Sequence, residues 1–198
     1  MKILRAFIAL ELPGGLQESI SLVIERLQAT AGKSAVRWVP AANIHLTLKF
    51  LGDVAPSNVS LIEEGLKAEA GLHCGFKIEV GGLDAFPSPK RPRVVWLGVD
   101  APPDLASLQR AIDSATSRLG YDSETRPFSP HLTLGRVREN ASPAQIASLT
   151  AALKEVKFNS PGEVFVDAVH LFKSDLLPGG SVYTRLFSAP LSSNKKKE

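Results

Sequence analysis

The chain has 198 residues, of which 44% are hydrophobic and 22% charged, and this composition excludes the disordered and fibrous classes. Its single cysteine, Cys74, excludes an intramolecular disulfide framework and a cysteine-rich zinc or iron–sulfur site. The formal net charge of +3 is only a weak sign of anion binding, because the four residues 195–198 contribute +2 of it.

The sequence lacks the pattern of an export signal or of a membrane span. The apolar stretch at residues 3–12 is interrupted by Arg5 and Glu11 and has no small-residue cleavage site. No apolar run approaches the length that a bilayer requires. With one thiol and no such signal, we expect a cytoplasmic protein.

Strand and helix patterns alternate along the first half of the chain. Residues 5–10 form an apolar run typical of a buried strand, and apolar residues then recur at helical spacing over residues 16–27 as far as Gly32. Gly81-Gly82 indicates a bulge or turn. The other predicted elements are, in order, a strand at 36–39, a strand at 43–52, a helix at 58–70 and a strand at 76–80.

The second half repeats this alternation after residues 88–93, a proline-rich basic segment that is the best candidate for a boundary or an exposed crossover. The sequence Ser142-Pro-Ala-Gln145 matches a helix capping box with proline at the first helical position. No glycine-rich phosphate loop follows a strand, which argues against a nucleotide-binding doubly wound sheet. The predicted elements are a strand at 94–99, a helix at 103–119, a strand at 130–137, a helix from 142 to 153, and strands at 164–172 and 182–187.

The spacing of these elements predicts an internal repeat. Arg5 precedes His45 by 40 residues and Arg93 precedes His131 by 38, and each histidine opens the same tetrapeptide, His-Leu-Thr-Leu. The strands that follow begin 31 residues after the first histidine and, at Val164, 33 residues after the second. Two copies of a unit this long are too few for a solenoid.

We therefore predict a single two-lobed domain over residues 1–190, with repeats at about 1–88 and 91–188, and a disordered basic tail at 191–198. The fold class is α+β, with two pseudo-symmetric lobes of antiparallel sheet, outer helices and an active-site cleft between the lobes. The similarity of residues 83–88 to residues 169–174 supports the repeat.

The two tetrapeptides are the candidate catalytic elements. On a strand, alternation places His45 and Thr47 on one face and the leucines on the other, and the same holds for His131 and Thr133. Two imidazoles that titrate near neutrality suit acid–base cleavage of a phosphodiester, while the threonine hydroxyls and a guanidinium such as Arg136 hold the phosphoryl oxygens. This chemistry requires neither a metal nor a cofactor, and two histidines with two threonines make a poor metal site.

The paired tetrapeptides resemble the His-x-Thr-x motifs of the two-histidine phosphoesterase superfamily. The segments at 5–10, 37–40, 43–52 and 130–136 are more closely similar to the RNA 2′,3′-cyclic phosphodiesterases, which were first described as 2′-5′ RNA ligases. The resemblance extends from Arg5 to about Phe187. It implies hydrolysis of a terminal 2′,3′-cyclic phosphate to a 2′-phosphomonoester, with RNA 3′ ends or small cyclic nucleotides as substrates.

The same resemblance implies a role for each residue of the site. His45 is expected to protonate the departing 3′ oxygen and His131 to activate water, while Thr47 and Thr133 bind the phosphate and Arg136 matches the basic residue that often follows the second motif. Nothing in the spacing decides which histidine is the acid. We expect a monomer without a membrane partner.

Two alternatives stay open at this point. RNA 2′-5′ ligation is the reverse chemistry at the same site, and a non-catalytic RNA- or nucleotide-binding module would use the same cleft. Both histidines are intact, which disfavours the second alternative.

Other residues are assigned smaller roles. His73 and His170 are expected to be structural, and Trp38 and Trp96 to lie in the core. The remaining candidates fall into two groups, aromatic residues that would stack on a base (Phe50, Phe128, Tyr183) and basic residues that would either line an RNA path or be plain surface charge (Arg37, Lys49, Arg126).

Overall fold

The computed structural model describes residues 3–32, 34–158, 163–178 and 180–193. Within these ranges the chain forms nine strands and four α-helices. The helices are α1 (Gly14–Ala31), α2 (Val59–Gly71), α3 (Pro103–Ser117) and α4 (Pro143–Glu155). The strands are β1 (Leu4–Leu10), β2 (Val36–Trp38), β3 (Leu46–Val54), β4 (Phe76–Ser88), β5 (Arg91–Asp100), β6 (His131–Val137), β7 (Glu163–Val166), β8 (Ala168–Leu177) and β9 (Gly180–Pro190).

Local sequence explains where the helices begin and end. Gly32, with a φ of 80°, ends α1 in a backbone conformation that other residues rarely adopt. The side chain of Ser142 accepts a hydrogen bond from the backbone of Gln145, whose own side chain accepts one from the backbone of Ser142. The capping box predicted for α4 is therefore confirmed.

All the strands pair antiparallel in one sheet, in the order β7-β4-β5-β6-β3-β1-β8-β9, with β2 paired to β6. At the centre, β3 and β6 meet at a single residue pair, Leu46 and Leu132. We call β3, β1, β8 and β9 the His45 half-sheet, and β6, β5, β4, β7 and β2 the His131 half-sheet. The predicted α+β class with two lobes of antiparallel sheet is confirmed.

The helices cover one face of the sheet. Strand residues such as Ile8, Leu46 and Leu132 are completely buried in one core together with apolar residues of the helices. On the opposite face, which we call the open face, Phe7, Ala9 and Phe172 form a separate small cluster. The core therefore lies between sheet and helices, and the open face is left for the functional site.

The sheet order is symmetric about the central pair. Moving outward from the junction, β5, β4 and β7 on one side correspond to β1, β8 and β9 on the other. Strand β4 belongs to the first predicted repeat but lies in the His131 half-sheet, and β8 belongs to the second repeat but lies in the His45 half-sheet. Each half-sheet thus contains strands from both halves of the sequence.

A β-bulge occurs at the same place in both tetrapeptides. In the β1–β3 ladder Ala9 pairs with Thr47 and Ile8 with Lys49, so Leu48 has no partner. In the β5–β6 ladder Trp96 pairs with Thr133 and Val95 with Gly135, so Leu134 has none. Each bulge reverses the alternation of the strand beyond it, which decides where the following side chains point.

The structure adds three details to the sequence-based expectations. Residues 88–93, predicted as a boundary or an exposed crossover, form the hairpin that joins β4 to β5. Residues 164–172 are two strands rather than one: β7 pairs with β4 and β8 with β1, in opposite halves of the sheet, and the break falls at Asp167. The strand at 76–80 extends to Ser88, since Gly82 allows a bulge with a φ of 69°.

The predicted tail begins at residue 191, where the described chain is still packed. Leu191 is buried, and the backbone N–H of Ser192 donates to the carbonyl of His73. Residues 194–198 lie outside the described residues. Among the helices described, none combines the length and the apolar character needed to span a bilayer.

Candidate active site

The two histidines flank the central junction of the sheet. His131 is the first residue of β6 and His45 directly precedes β3. Since the strands run antiparallel through the Leu46–Leu132 pair, His45 and Thr133 lie on one side of it, and Thr47 and His131 on the other. The structure therefore brings together the four residues that the tetrapeptides predict.

Alternation within the tetrapeptides holds in the structure. Leu46, Leu48, Leu132 and Leu134 are buried in the core, whereas the two histidines and two threonines are only partly buried. The leucines thus anchor the strands, and the polar side chains face away from the helices.

Each imidazole is oriented by a backbone carbonyl two residues earlier in the chain. Nδ1 of His45 donates to the carbonyl of Asn43 at 2.8 Å, and Nδ1 of His131 donates to that of Ser129 at 2.7 Å. A carbonyl can only accept, so the proton of each neutral ring sits on Nδ1 and Nε2 carries the lone pair. Each ring can thus take or give a proton through Nε2.

The segment that orients His45 is itself held by the last strand. The side-chain amide of Asn43 donates to the carbonyl of Ser181 at the start of β9, at 2.9 Å. This contact joins residues 138 positions apart in the chain. The carbonyl that receives the His45 hydrogen bond is therefore fixed to the opposite edge of the His45 half-sheet.

Aromatic rings surround His45. The ring of Phe7 stacks on the imidazole with centroids 4.5 Å apart, and Phe172 stacks on Phe7 at 5.2 Å. Tyr183 approaches His45 edge-on at 5.3 Å. Burial in this cluster lowers the pKa of His45 below its usual value, and the hydrogen bond to Asn43 opposes this effect only in part. The neutral imidazole is favoured in the free protein.

A similar but smaller aromatic cluster lies beside His131. Phe86 meets the imidazole edge-on at 5.2 Å and stacks on Trp96 at 4.8 Å, and Trp96 lies 6.3 Å from the imidazole. The prediction that Trp96 belongs to the core is wrong, since its ring lies on the open face beside the histidine. Trp38 does pack against the core.

A pocket of about 270 Å³ opens beside His45 and contains an ion pair. Arg185 donates to the carboxylate of Glu11 at 2.6 Å, and Nε2 of His170 lies 3.9 Å from the same carboxylate oxygen. Burial lowers the pKa of His170. The carboxylates of Glu11 and Asp167 act to raise this pKa, and the charge of Arg185 acts to lower it. His170 also hydrogen-bonds to the hydroxyl of Ser188 at 2.9 Å.

Arg136 is exposed on the open face. It pairs with Val94 of β5, two residues from Trp96, and the bulge at Leu134 turns it to the same side as Thr133. Two residues of a strand span about 7 Å, so the guanidinium lies within side-chain reach of Thr133.

Several other predicted residues lie away from this site. Lys49 is 5% exposed and its ammonium group binds Asp113 of α3 at 2.5 Å as well as the carbonyl of Asp122, so it cannot line an RNA path. Arg126 is exposed and pairs with Glu124. Phe128 packs against the core, and His73 lies between α2 and β4.

Sequence reasoning missed the aromatic residues that contact the histidines. Phe7, Phe86, Trp96 and Phe172 each lie on a strand other than that of the histidine they accompany. The signal that could have found two of them is the similarity of residues 83–88 to 169–174, which places Phe86 and Phe172 at equivalent positions of the repeat.

The described residues contain no cluster of three or more His, Cys, Asp or Glu side chains that could hold a metal ion. The ligand-capable groups nearest the cleft are the two imidazoles, which belong to different strands, and Glu11, which is engaged by Arg185.

A pseudo-symmetric antiparallel sheet with one His-x-Thr-x motif on each central strand is the arrangement of a two-histidine phosphoesterase. Comparison with known families narrows this class, because the profile of the 2′-5′ RNA ligase superfamily matches residues 16–176. The chain belongs to the 2′-5′ RNA ligase superfamily.

Similar proteins agree with this assignment. The chain is 36% identical over 180 residues to a protein of Methanothermobacter thermautotrophicus named RNA 2′,3′-cyclic phosphodiesterase, an alignment that covers 91% of this chain and 95% of the relative. The crystal structure of Escherichia coli LigT complexed with 3′-AMP superposes with a TM-score of 0.71 at 31% identity, over 97% of this chain and 100% of that one. A Thermus thermophilus protein shares the fold with a TM-score of 0.78 at 23% identity, over 96% and 99% of the two chains.

Proposed function

We propose that this protein is an RNA 2′,3′-cyclic phosphodiesterase, which opens a terminal 2′,3′-cyclic phosphate to a 2′-phosphomonoester. The observation that carries the proposal is the pair of imidazoles, each oriented through Nδ1 so that Nε2 is available in one cleft. The curated names of relatives that are similar over nearly the whole chain support it.

The reaction needs one proton donor and one proton acceptor. Nε2 of His131 takes a proton from water as the water oxygen bonds to phosphorus. The bond from phosphorus to the 3′ oxygen breaks, and Nε2 of a protonated His45 gives its proton to that oxygen. The product carries a 2′-phosphate and a 3′-hydroxyl, and proton exchange with solvent restores both rings.

The hydroxyls of Thr47 and Thr133 and the guanidinium of Arg136 bind the non-bridging phosphoryl oxygens in this mechanism. Their positions around the Leu46–Leu132 pair and on the open face support that role. Hydrogen bonds from a fixed cation and two fixed hydroxyls stabilise the negative charge that develops as water attacks.

The assignment of His45 as the acid follows the family resemblance and sets a condition. Burial lowers the pKa of His45 in the free protein, so the proton must be taken up with the substrate, whose phosphate anion favours the imidazolium. The pH dependence of kcat/KM tests this: His45→Gln removes the limb at high pH if His45 is the acid, and removes the limb at low pH if the roles are exchanged.

The reverse reaction, 2′-5′ ligation of RNA ends, uses the same groups. A non-catalytic binding module would not need both imidazoles oriented in the same way, and this disfavours that alternative. RNA 3′ ends and small cyclic nucleotides both fit the chemistry as substrates. A cytoplasmic location and a monomeric state stay predictions of the sequence.

The direct test is hydrolysis of an oligoribonucleotide that ends in a 2′,3′-cyclic phosphate, in the presence of EDTA. The expected product is the 2′-phosphate, identified by ³¹P NMR and chromatography against both isomers. His45→Ala and His131→Ala should each lower kcat by about 10²–10⁴-fold, the usual contribution of a general acid or base.

His73→Ala is the matched control, since His73 lies between α2 and β4, and its activity should equal that of the wild type. Full activity in either catalytic variant, or a requirement for added metal, would contradict the mechanism.

A further inference from the structure

Two arginines lie side by side on the open face of the His131 half-sheet. Arg37 and Arg136 are directly paired in the β2–β6 ladder, and both are exposed. A Cβ added to Gly135 would lie 2.6 Å from Cγ1 of Val36 and 3.0 Å from Cε3 of Trp38, so those two side chains point towards the Gly135 side of the sheet. By alternation Arg37 and Arg136 point to the other side.

That other side is the open face with the histidines. Arg136 is the partner of Val94, and Val94 and Trp96 share a face because they are two residues apart. Since Trp96 contacts Phe86 and His131 there, both arginines lie on the same face as the catalytic candidates.

Among the residues that the structure describes, no carboxylate forms an ion pair with either arginine. None of the ion pairs formed among residues 3–32, 34–158, 163–178 and 180–193 includes Arg37 or Arg136. Like charges at directly opposed positions of a sheet are destabilising. In the His45 half-sheet the exposed Arg185 is instead neutralised by Glu11 at 2.6 Å. The arginine pair is therefore placed to bind an anion from solution.

The two guanidiniums lie beside the site of phosphate cleavage. Arg136 is about 7 Å from Thr133 along the sheet, and Arg37 lies next to Arg136 on the adjacent strand, roughly 4.8 Å across from it. Arg136 is assigned to the phosphate that reacts, which leaves Arg37 for a second anion. A cyclic mononucleotide has only one phosphate and supplies no second anion.

Building on the proposed function, we propose that Arg37 binds the phosphodiester adjacent to the terminal nucleotide of a single-stranded RNA, so that the enzyme prefers RNA ends to cyclic mononucleotides. Arg37 is then a specificity-determining residue for the substrate.

The test uses two diribonucleotides that end in a 2′,3′-cyclic phosphate and differ only in the internal linkage, which is a natural phosphodiester in one and an uncharged methylphosphonate in the other. For the wild type we expect kcat/KM to be about tenfold higher with the charged linkage, as for one charge-assisted hydrogen bond. Arg37→Gln should reduce this ratio to near 1, and Arg37→Lys should retain part of it.

Arg26→Gln is the matched control, because Arg26 is an exposed arginine on α1 and its substitution changes the net charge equally. It should keep the wild-type ratio. The thermal transition of each variant, measured in parallel, shows whether the fold is intact. A plot of the logarithm of the association constant for the charged 2′-phosphate dinucleotide against the logarithm of the salt concentration gives a second readout. In Arg37→Gln its slope should become less negative by about 0.7, the value for one phosphate that the protein no longer neutralises.

A wild-type ratio near 1, or an unchanged ratio in Arg37→Gln, would overturn the proposal while leaving the cyclic phosphodiesterase intact. If the wild type hydrolyses neither dinucleotide, the proposed function fails. The role of Arg37 is then decided by the Kd values of the two 2′-phosphate dinucleotides: a discrimination that Arg37→Gln abolishes supports it, and one that persists contradicts it.

Discussion

The His45 and His131 half-sheets share one plan and differ in the chemistry of their open faces. Both present a histidine oriented by the carbonyl two residues before it, and both have a bulged leucine directly after the threonine. The aromatic cluster is larger around His45, where Arg185 is neutralised by Glu11, whereas the His131 half-sheet carries the adjacent Arg37 and Arg136, which form no ion pair with the residues that the structure describes. The two half-sheets are thus alike in their paired imidazoles and different in the side chains that surround them.

The residue that follows each bulged leucine shows the same divergence. Lys49 in the His45 half-sheet points into the helix side and binds Asp113, while its equivalent Gly135 leaves room for Val36 and Trp38 of β2. One half-sheet is thus tied to a helix by an ion pair and the other accepts an additional strand. The additional strand is the one that carries Arg37.

The largest effect is expected from breaking the ion pair. Lys49→Met should lower the free energy of unfolding by about 3 kcal/mol, because it leaves Asp113 partly buried without its cation. The Lys49 ion pair is also among the causes that keep the pKa of Asp113 low against the opposing effect of burial, so the destabilisation should be largest near neutral pH. Urea unfolding measures it.

Lys77→Met serves as its control, since the Lys77–Glu163 pair is more than half exposed on both sides. Its removal should change stability by less than about 1 kcal/mol. Equal destabilisation in the two variants would show that the Lys49–Asp113 pair contributes no more to stability than an exposed ion pair.

A smaller effect is expected at the equivalent position of the other half-sheet. Gly135→Ala places a methyl group against Val36 and Trp38, and this overpacking should cost about 2 kcal/mol. Because β2 must move, the variant should also lose part of the discrimination between charged and neutral linkages. Gly14→Ala, at a helix start where an added Cβ meets nothing within 4 Å, should leave both properties unchanged.

The aromatic character of the His45 half-sheet leads to a prediction for Phe50, which is 67% exposed and whose ring lies 6.3 Å from that of Phe7. If Phe50 stacks on a base, Phe50→Ala should weaken substrate binding by about tenfold, as measured by the KM for the cyclic dinucleotide, with little change in stability. Phe165→Ala, on the exposed edge strand β7, should leave KM unchanged. An unaltered KM in Phe50→Ala would place base recognition elsewhere.

The smallest effect concerns pH and stability. The pKa values of His45 and His170 are both lowered by burial from the value of 6.5. The unfolded chain therefore binds more protons than the native protein between the lowered pKa values and about pH 6.5, so stability should fall as pH drops through that window and level off above it. His45→Gln should flatten this dependence in part; an identical pH profile would contradict the lowered pKa.

The part of this fold that could be predicted depends on local pattern. The alternation in His-Leu-Thr-Leu, the cap at Ser142 and the glycine at residue 32 act within a few residues, and the structure confirms each. The two-lobed plan was accessible because the repeat duplicates those local signals.

The rest depends on how strands meet. Strict alternation puts Lys49 on the face of His45, and only the bulge at Leu48, which forms against β1, turns it inward. The break at Asp167 is hidden in a continuous alternating run, because β7 and β8 differ only in their partners. The contacts of Phe7 and Trp96 with the histidines likewise arise from strand neighbours that the sequence does not specify.

The placement of β4 and β8 has a consequence for the autonomy of the two repeats. The first repeat supplies β2 and β4 to the His131 half-sheet, and the second supplies β8 and β9 to the His45 half-sheet. A cut at the β4–β5 hairpin would therefore separate paired interior strands on both sides. Neither fragment contains all the strands of a half-sheet, so the polypeptide should unfold in one cooperative step. By the same geometry, a single copy of the unit could complete the sheet only as a strand-swapped dimer, with its catalytic cleft formed across the interface.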